Sequence, residues 1–176
     1  MKIHIRQEET KDHQTVFKIV EDAFENMKYS SHTEQFIVEQ LRKDEAFIPE
    51  LSLVAELDGE LVGYIILSKI QIDNGQQLFD ALTLGPVAVL PKLHGKSIGS
   101  QLIKEAHKRA KSLGHEVIVL LGHKNYYPRF GYELMQKYDI SLPFEATPEH
   151  CMVIGLTPNA LNGINGKVIY SKPFLA

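Results

Sequence analysis

Two short stretches hold most of the residue types that can do chemistry. The first is Val87-Ala88-Val89-Leu90-Pro91-Lys92-Leu93-His94-Gly95-Lys96-Ser97-Ile98-Gly99-Ser100, which runs from a strand end through a small-residue loop into a helical pattern. The first turn of a helix has backbone N–H groups without intrahelical acceptors, and the helix dipole favours an anion there. Gly95, Ser97, Gly99 and Ser100 keep the side chains small enough for a phosphate to reach those amides, and Lys92 and Lys96 add positive charge. The spacing is neither that of a Walker A loop nor that of a G-x-G-x-x-G fingerprint.

The second stretch is Gly122-His123-Lys124-Asn125-Tyr126-Tyr127-Pro128-Arg129-Phe130-Gly131-Tyr132. It follows an apolar run and brings two phenols toward the strand that feeds the loop. That strand is interrupted at Gly85-Pro86. Proline cannot donate to a sheet ladder, so a bulge, a splay or an edge is expected there, with backbone donors left for something other than a neighbouring strand. A phosphate grip at one end of such a cleft and phenols at the other suit a long anionic cofactor.

The elements that must position these residues follow from the periodicity. Ile3 and Ile5 alternate with polar residues as a first strand, and Thr10 is the expected N-cap of a helix carrying Val16, Phe17, Ile19, Val20, Ala23 and Phe24. A second helix carries Phe36, Ile37, Gln40 and Leu41 and ends before Pro49. Residues 51–57 and 61–67 alternate around Asp58-Gly59, a two-residue hairpin signal, and Gln77 to Val89 reads as a long strand. Ile98, Leu102, Ile103, Ala106, Ala110 and Leu113 share a helical face that Gly114 terminates. Val117 to Leu121 reads as a strand buried on both faces, Tyr126 to Phe130 as a helical turn, and 132–134, 152–156 and 167–170 as closing strands. The pattern predicts one α+β domain over residues 1–176, antiparallel in its first half, with a strand-helix-strand crossover in the middle.

Composition narrows the function classes. A chain of 176 residues with 44% hydrophobic and 23% charged residues has the material for one core and excludes disordered, collagen-like and coiled-coil chains. With 19 basic against 22 acidic residues, the net charge of -3 makes no case for bulk nucleic-acid or membrane-surface binding. Lys104, Lys108, Arg109 and Lys111 read as a solvated helix face, without the interleaved aromatics of a nucleic-acid stripe. The eight histidines form no His-x-x-x-His pair, so no metal site is expected. Cys151 stands alone, which fits a reducing compartment. No signal-peptide pattern follows Met1, and the apolar runs fall short of the ~20 residues that span a bilayer, so a cytoplasmic location is expected.

The sequence resembles the GNAT superfamily of acyl-CoA-dependent N-acyltransferases over about residues 2 to 134, and looks most like a bacterial branch of N-acetyltransferases. The resemblance rests on the strand, Pro91, and the hexad His94-Gly95-Lys96-Ser97-Ile98-Gly99, similar to the family's Gln/Arg-x-x-Gly-x-Gly/Ala. It also rests on Tyr127-Pro128-Arg129-Phe130-Gly131-Tyr132 and the tail from Gly166 to Phe174. It implies a mixed sheet splayed around the cofactor site, with helices on both faces, and acetyl-CoA as cosubstrate. Val87, Ala88 and Val89 would then pair with the pantetheine arm. Gly95, Lys96, Ser97, Ile98, Gly99 and Ser100 would hold the pyrophosphate, with Ser97 small enough to preserve close backbone approach if its φ is negative. A backbone N–H near Val87 would polarise the thioester carbonyl, and Tyr127 would protonate the departing thiolate. The acceptor would be a small-molecule or peptide amine, with Glu34, Asp80, His123 or a water near Thr83 as base, and Glu34 with His32 as acceptor-site candidates. The alternative is a non-catalytic acyl-CoA binding or sensing module. The resemblance leaves the oligomeric state open, a homodimer included.

Overall fold

The structure is a computed structural model that describes residues 1–175. The chain runs β1 (His4–Gln7), α1 (His13–Phe24), α2 (Glu34–Leu41), β2 (Ser52–Leu57), β3 (Glu60–Asp73), β4 (Leu78–Val89), α3 (Ile98–Ser112), β5 (Val117–Leu121), β6 (Glu133–Leu134), β7 (Ile140–Ser141), β8 (Cys151–Gly155) and β9 (Gly166–Ile169). One sheet has the order β1-β2-β3-β4-β5-β8-β6, with β9 paired to the outer part of β3 and β7 to β9. β1 to β4 are antiparallel neighbours, and the β4-α3-β5 crossover makes the β4–β5 pair parallel. β7, only two residues long, has no periodicity to read in the sequence.

Alternation along β3 sets the two layers. Ile65 and Leu67 pack under α3 with Ile98, Leu102, Ile103 and Ala106, whereas Tyr64 and Ile66 pack with Val16, Ile19 and Val20 of α1 and Val38 and Leu41 of α2. Helices therefore cover both faces. A Cβ on Gly63 would lie 3.0 Å from a Leu102 methyl and 3.3 Å from one of Ile98, so its absence lets the start of α3 settle close onto β3. At the β2–β3 turn Asp58 and Gly59 both take left-handed φ, 53° and 82°, the conformation of a tight I′ hairpin. Among the described residues no helix is long and apolar enough to cross a membrane.

Three local expectations are corrected. Thr10 opens a short 3-10 turn, and the cap is built by Asp12, whose carboxylate accepts the Glu9 N–H at 2.7 Å. The Arg6 guanidinium also binds Asp12 and holds its carboxyl below the usual carboxylate range. The buried stripe of α2 is Gln35, Val38 and Leu41, and Phe36 is half-exposed, packed edge-on against Phe17. Leu113 lies beyond the buried face of α3 and is exposed.

A buried polar network ties the α1–α2 layer to the sheet. Arg42, just past α2, donates two 2.9 Å bonds to Glu8, Ser52 donates to Glu8 at 2.6 Å, and the Ser52 and Tyr64 hydroxyls are 2.6 Å apart. Burial, with the Glu8 charge, pushes the Tyr64 phenol far above its usual value. Glu8 cannot lose its partner cheaply, because the carboxylate would remain enclosed and uncompensated. Arg42→Ala is expected to lower unfolding free energy by about 3–5 kcal/mol, read as a drop in the urea midpoint.

Candidate functional site

An irregularity in one strand opens the site. β3 pairs with β4 at Ile65↔Val87 and then at Leu67↔Leu84, so two steps on β3 match three on β4, and the extra residue is the expected bulge at Gly85-Pro86. β4 meets β5 only at Leu82↔Ile118 and Thr83↔Val119, and beyond Thr83 the two strands part. The Leu90 N–H donates to the Val62 carbonyl at 3.0 Å, which fixes the alternation. The polar groups of Ala88 therefore face β3, opposite Tyr64, while those of Val87 and Val89 face the opening. This corrects the expectation for Ala88: it lines the cleft, but its main-chain groups belong to the β3 ladder.

The chain then folds back over a short turn at Pro91–Leu93, closed by the Leu93 N–H to Leu90 and the His94 N–H to Pro91. The first bond into α3 is donated by Gln101 to the Ser97 carbonyl. Between these, the amides of Gly95, Lys96, Ser97, Ile98, Gly99 and Ser100 have no acceptor among the described residues. Six consecutive free N–H groups at the positive end of a 15-residue helix form a ready anion cradle. Ser97 takes φ 64°, so the condition of a negative φ is not met: the chain turns left-handed to enter the helix there. A side chain in that region costs about 1–2 kcal/mol, which is why glycine suits it.

A cleft of about 510 Å³ is lined by Val87, Ala88, Val89, Gly95, Ser97, Ile98, Gly99 and Ser100, and Lys96 is not part of its wall. The sequence reading missed Ala23 near the end of α1 and Met27 just beyond it, and Arg129, which had a signal as the one cation inside the tyrosine motif. Arg129 donates to the Tyr126 carbonyl at 3.0 Å and lies over the Tyr126 ring. Tyr126 is cleft wall: its hydroxyl is 3.2 Å from the Ser100 hydroxyl and 3.3 Å from where a Cβ on Gly99 would be.

Tyr127 stands behind that wall. Its ring meets Tyr126 at 5.1 Å and Tyr132 at 5.8 Å between centroids, and it lies flush on Gly122, where any Cβ would collide with it. The Tyr127 hydroxyl has no partner among the described residues, and burial, followed by Tyr126, pushes the phenol well above its usual value. Tyr132 is held in turn by His107, with its hydroxyl 2.8 Å from Nε2, and burial lowers the imidazole to about 4.

None of the expected bases lines the cleft. Asp80 is bound to Gln71 on the lower half of β4, and Glu34 accepts the Ser30 hydroxyl at 2.8 Å. His123 accepts the Asn125 N–H on Nδ1, and His32 lines a separate hollow on the outside of α1. Thr83 is buried at the last paired position before the strands diverge.

Two substitutions test this geometry. Ser97→Gly should raise unfolding free energy by about 1 kcal/mol, the release of left-handed strain, seen as a higher urea midpoint. Gly122→Ala should displace the Tyr127 ring, read as a change in near-ultraviolet tyrosine dichroism with far-ultraviolet signal preserved.

Comparison with known proteins follows the same lines. The acetyltransferase (GNAT) domain family matches residues 4–135. YhbS of Escherichia coli strain K12, an uncharacterized N-acetyltransferase, is 32% identical over 154 residues, which span 87% of this chain and 90% of YhbS. The crystal structure of E. coli YhbS in complex with CoA superposes with a TM-score of 0.89 at 29% identity, covering 100% of this chain and 93% of that one. A GNAT family acetyltransferase from Brucella melitensis in complex with acetyl-CoA gives 0.81 at 32% identity, with 98% of each chain covered.

Proposed function

This chain belongs to the GNAT acetyltransferase family, and we propose that it moves an acetyl group from acetyl-CoA directly to a primary amine. The observation that carries the reading is the row of main-chain groups at Val87 and Val89 that no neighbouring strand takes up, continued by the six free amides of residues 95–100. A pantetheine arm matches the first set and a pyrophosphate the second, and Lys92, Lys96 and Arg129 supply nearby positive charge. The CoA and acetyl-CoA complexes of the two similar structures support that choice of ligand.

Each group then has a task. The Val87 N–H, facing the opening, polarises the thioester carbonyl and stabilises the negative charge that develops as the amine attacks. Tyr127, which packs behind Tyr126 and is not itself part of the cleft wall, is the proton donor this reading assigns to the departing thiolate, and its raised pKa keeps the phenol protonated at neutral pH. The cleft holds both reactants in one orientation, so no covalent enzyme intermediate is needed. The acceptor's proton leaves to water, because none of Glu34, Asp80 and His123 lines the cleft.

Incubation with acetyl-CoA and a panel of primary amines should release free thiol. Tyr127→Phe should lower kcat by roughly 10²–10⁴ while the KM for acetyl-CoA stays near the parental value. An acid must be protonated to act, so the parental rate should show no Tyr127-dependent fall until the pH passes the ordinary phenol range. Thiol release at the parental rate by Tyr127→Phe would remove the tyrosine from the mechanism. Binding of acetyl-CoA without turnover of any amine would favour a sensing module instead.

A further inference from the structure

We propose that His94 is a positioning residue, a clip that sets the spacing between the strand edge and the phosphate loop; the inference rests on acetyl-CoA being the cosubstrate. Its Nε2 lies 2.8 Å from the Val89 carbonyl oxygen. A carbonyl only accepts, so Nε2 carries the proton and donates it. The Val89 carbonyl is one of the groups that faces the opening, where β5 no longer reaches. The turn at Pro91–Leu93 brings residue 94 back beside residue 89, and the six free amides begin at the next residue.

One side chain thus adds a direct polar bond between two half-sites that are otherwise joined by the chain from 89 to 94 and by the apolar packing of α3 on the sheet. The strand edge faces the amides of a pantetheine arm, and the helix start faces the phosphates. A ligand long enough to touch both gains from a fixed distance between them, whereas a fragment touching one does not. The carbonyl keeps its second lone pair for the ligand, so the clip does not close the edge. Gln carries an N–H of similar reach and can make the same bond.

The test compares acetyl-CoA with S-acetylpantetheine, which lacks the phosphates, by calorimetry on the parent, His94→Ala and His94→Gln. His94→Ala should raise the Kd of acetyl-CoA about tenfold, the loss of one hydrogen bond's worth of preorganisation, and leave that of S-acetylpantetheine within about twofold. His94→Gln should restore acetyl-CoA binding, and kcat at saturating acetyl-CoA should be the same in all three. Amide exchange at Leu90 and Leu93, whose N–H groups are bonded in the free protein, should quicken in His94→Ala and recover in His94→Gln. Equal weakening of both ligands would mean a direct contact with the arm and would overturn the clip, as would unchanged exchange. If the parent binds no acetyl-CoA while exchange responds as expected, the cosubstrate assignment fails and the clip stands.

Discussion

Everything at the site depends on β4 leaving β5 after Thr83. Had the parallel ladder continued, the main-chain groups of Val87 and Val89 would be consumed by β5, and the loop at 94–100 would flank a closed sheet. One extra residue at Gly85-Pro86 is enough to change this, because it shifts the β3 register and turns the following three residues out of line with β5. An open strand edge ordinarily invites pairing with another chain. Here the edge lies inside a cleft walled by the start of α3, Tyr126 and the end of α1, so it is offered to a slender ligand and withheld from a second strand.

The second half of the cleft is held in place by packing. Ile98 and Leu102 press onto β3 over Gly63, which fixes where the free amides of the first helical turn point. That packing also sustains Ser97 in a left-handed conformation that glycine would adopt without cost. Electrostatics adds to the same end: the chain is acidic overall, yet Lys92 and Lys96 lie in the segment that leads into the helix and Arg129 lines the cleft, charges of the sign that a phosphate requires. On the opposite layer the Glu8–Arg42–Ser52–Tyr64 network ties the α1–α2 layer to the sheet, and Ala23 of α1 with the following Met27 reaches the cleft from that layer.

The aromatic cluster shows how a buried phenol can be kept in one protonation state without a charged partner. Tyr127 is enclosed by rings and by the bare backbone of Gly122, so desolvation first, and then Tyr126, favours its neutral form. His107 does the corresponding service for Tyr132: its own burial keeps the imidazole neutral, and the two share a hydrogen bond that orients the ring against Tyr127.

Much of this was legible in the residues. Alternation in 51–57 and 61–67, the Asp58-Gly59 turn, the period of 98–110 and the apolar run at 117–121 determine their elements, since each local pattern agrees with the packing it meets. Gly85-Pro86 announced a broken strand, and the small residues of 95–100 announced a helix start open to an anion. Tertiary structure alone decided which groups face which way. Ala88 lost its main-chain role because strand pairing alternates, and that phase is set by the Leu90–Val62 bond from another strand. Ser97 took positive φ because the helix must land on β3. The candidate bases Asp80 and Glu34 stayed outside the cleft, because strand register and helix roll, set by long-range packing, place side chains that no local pattern can locate.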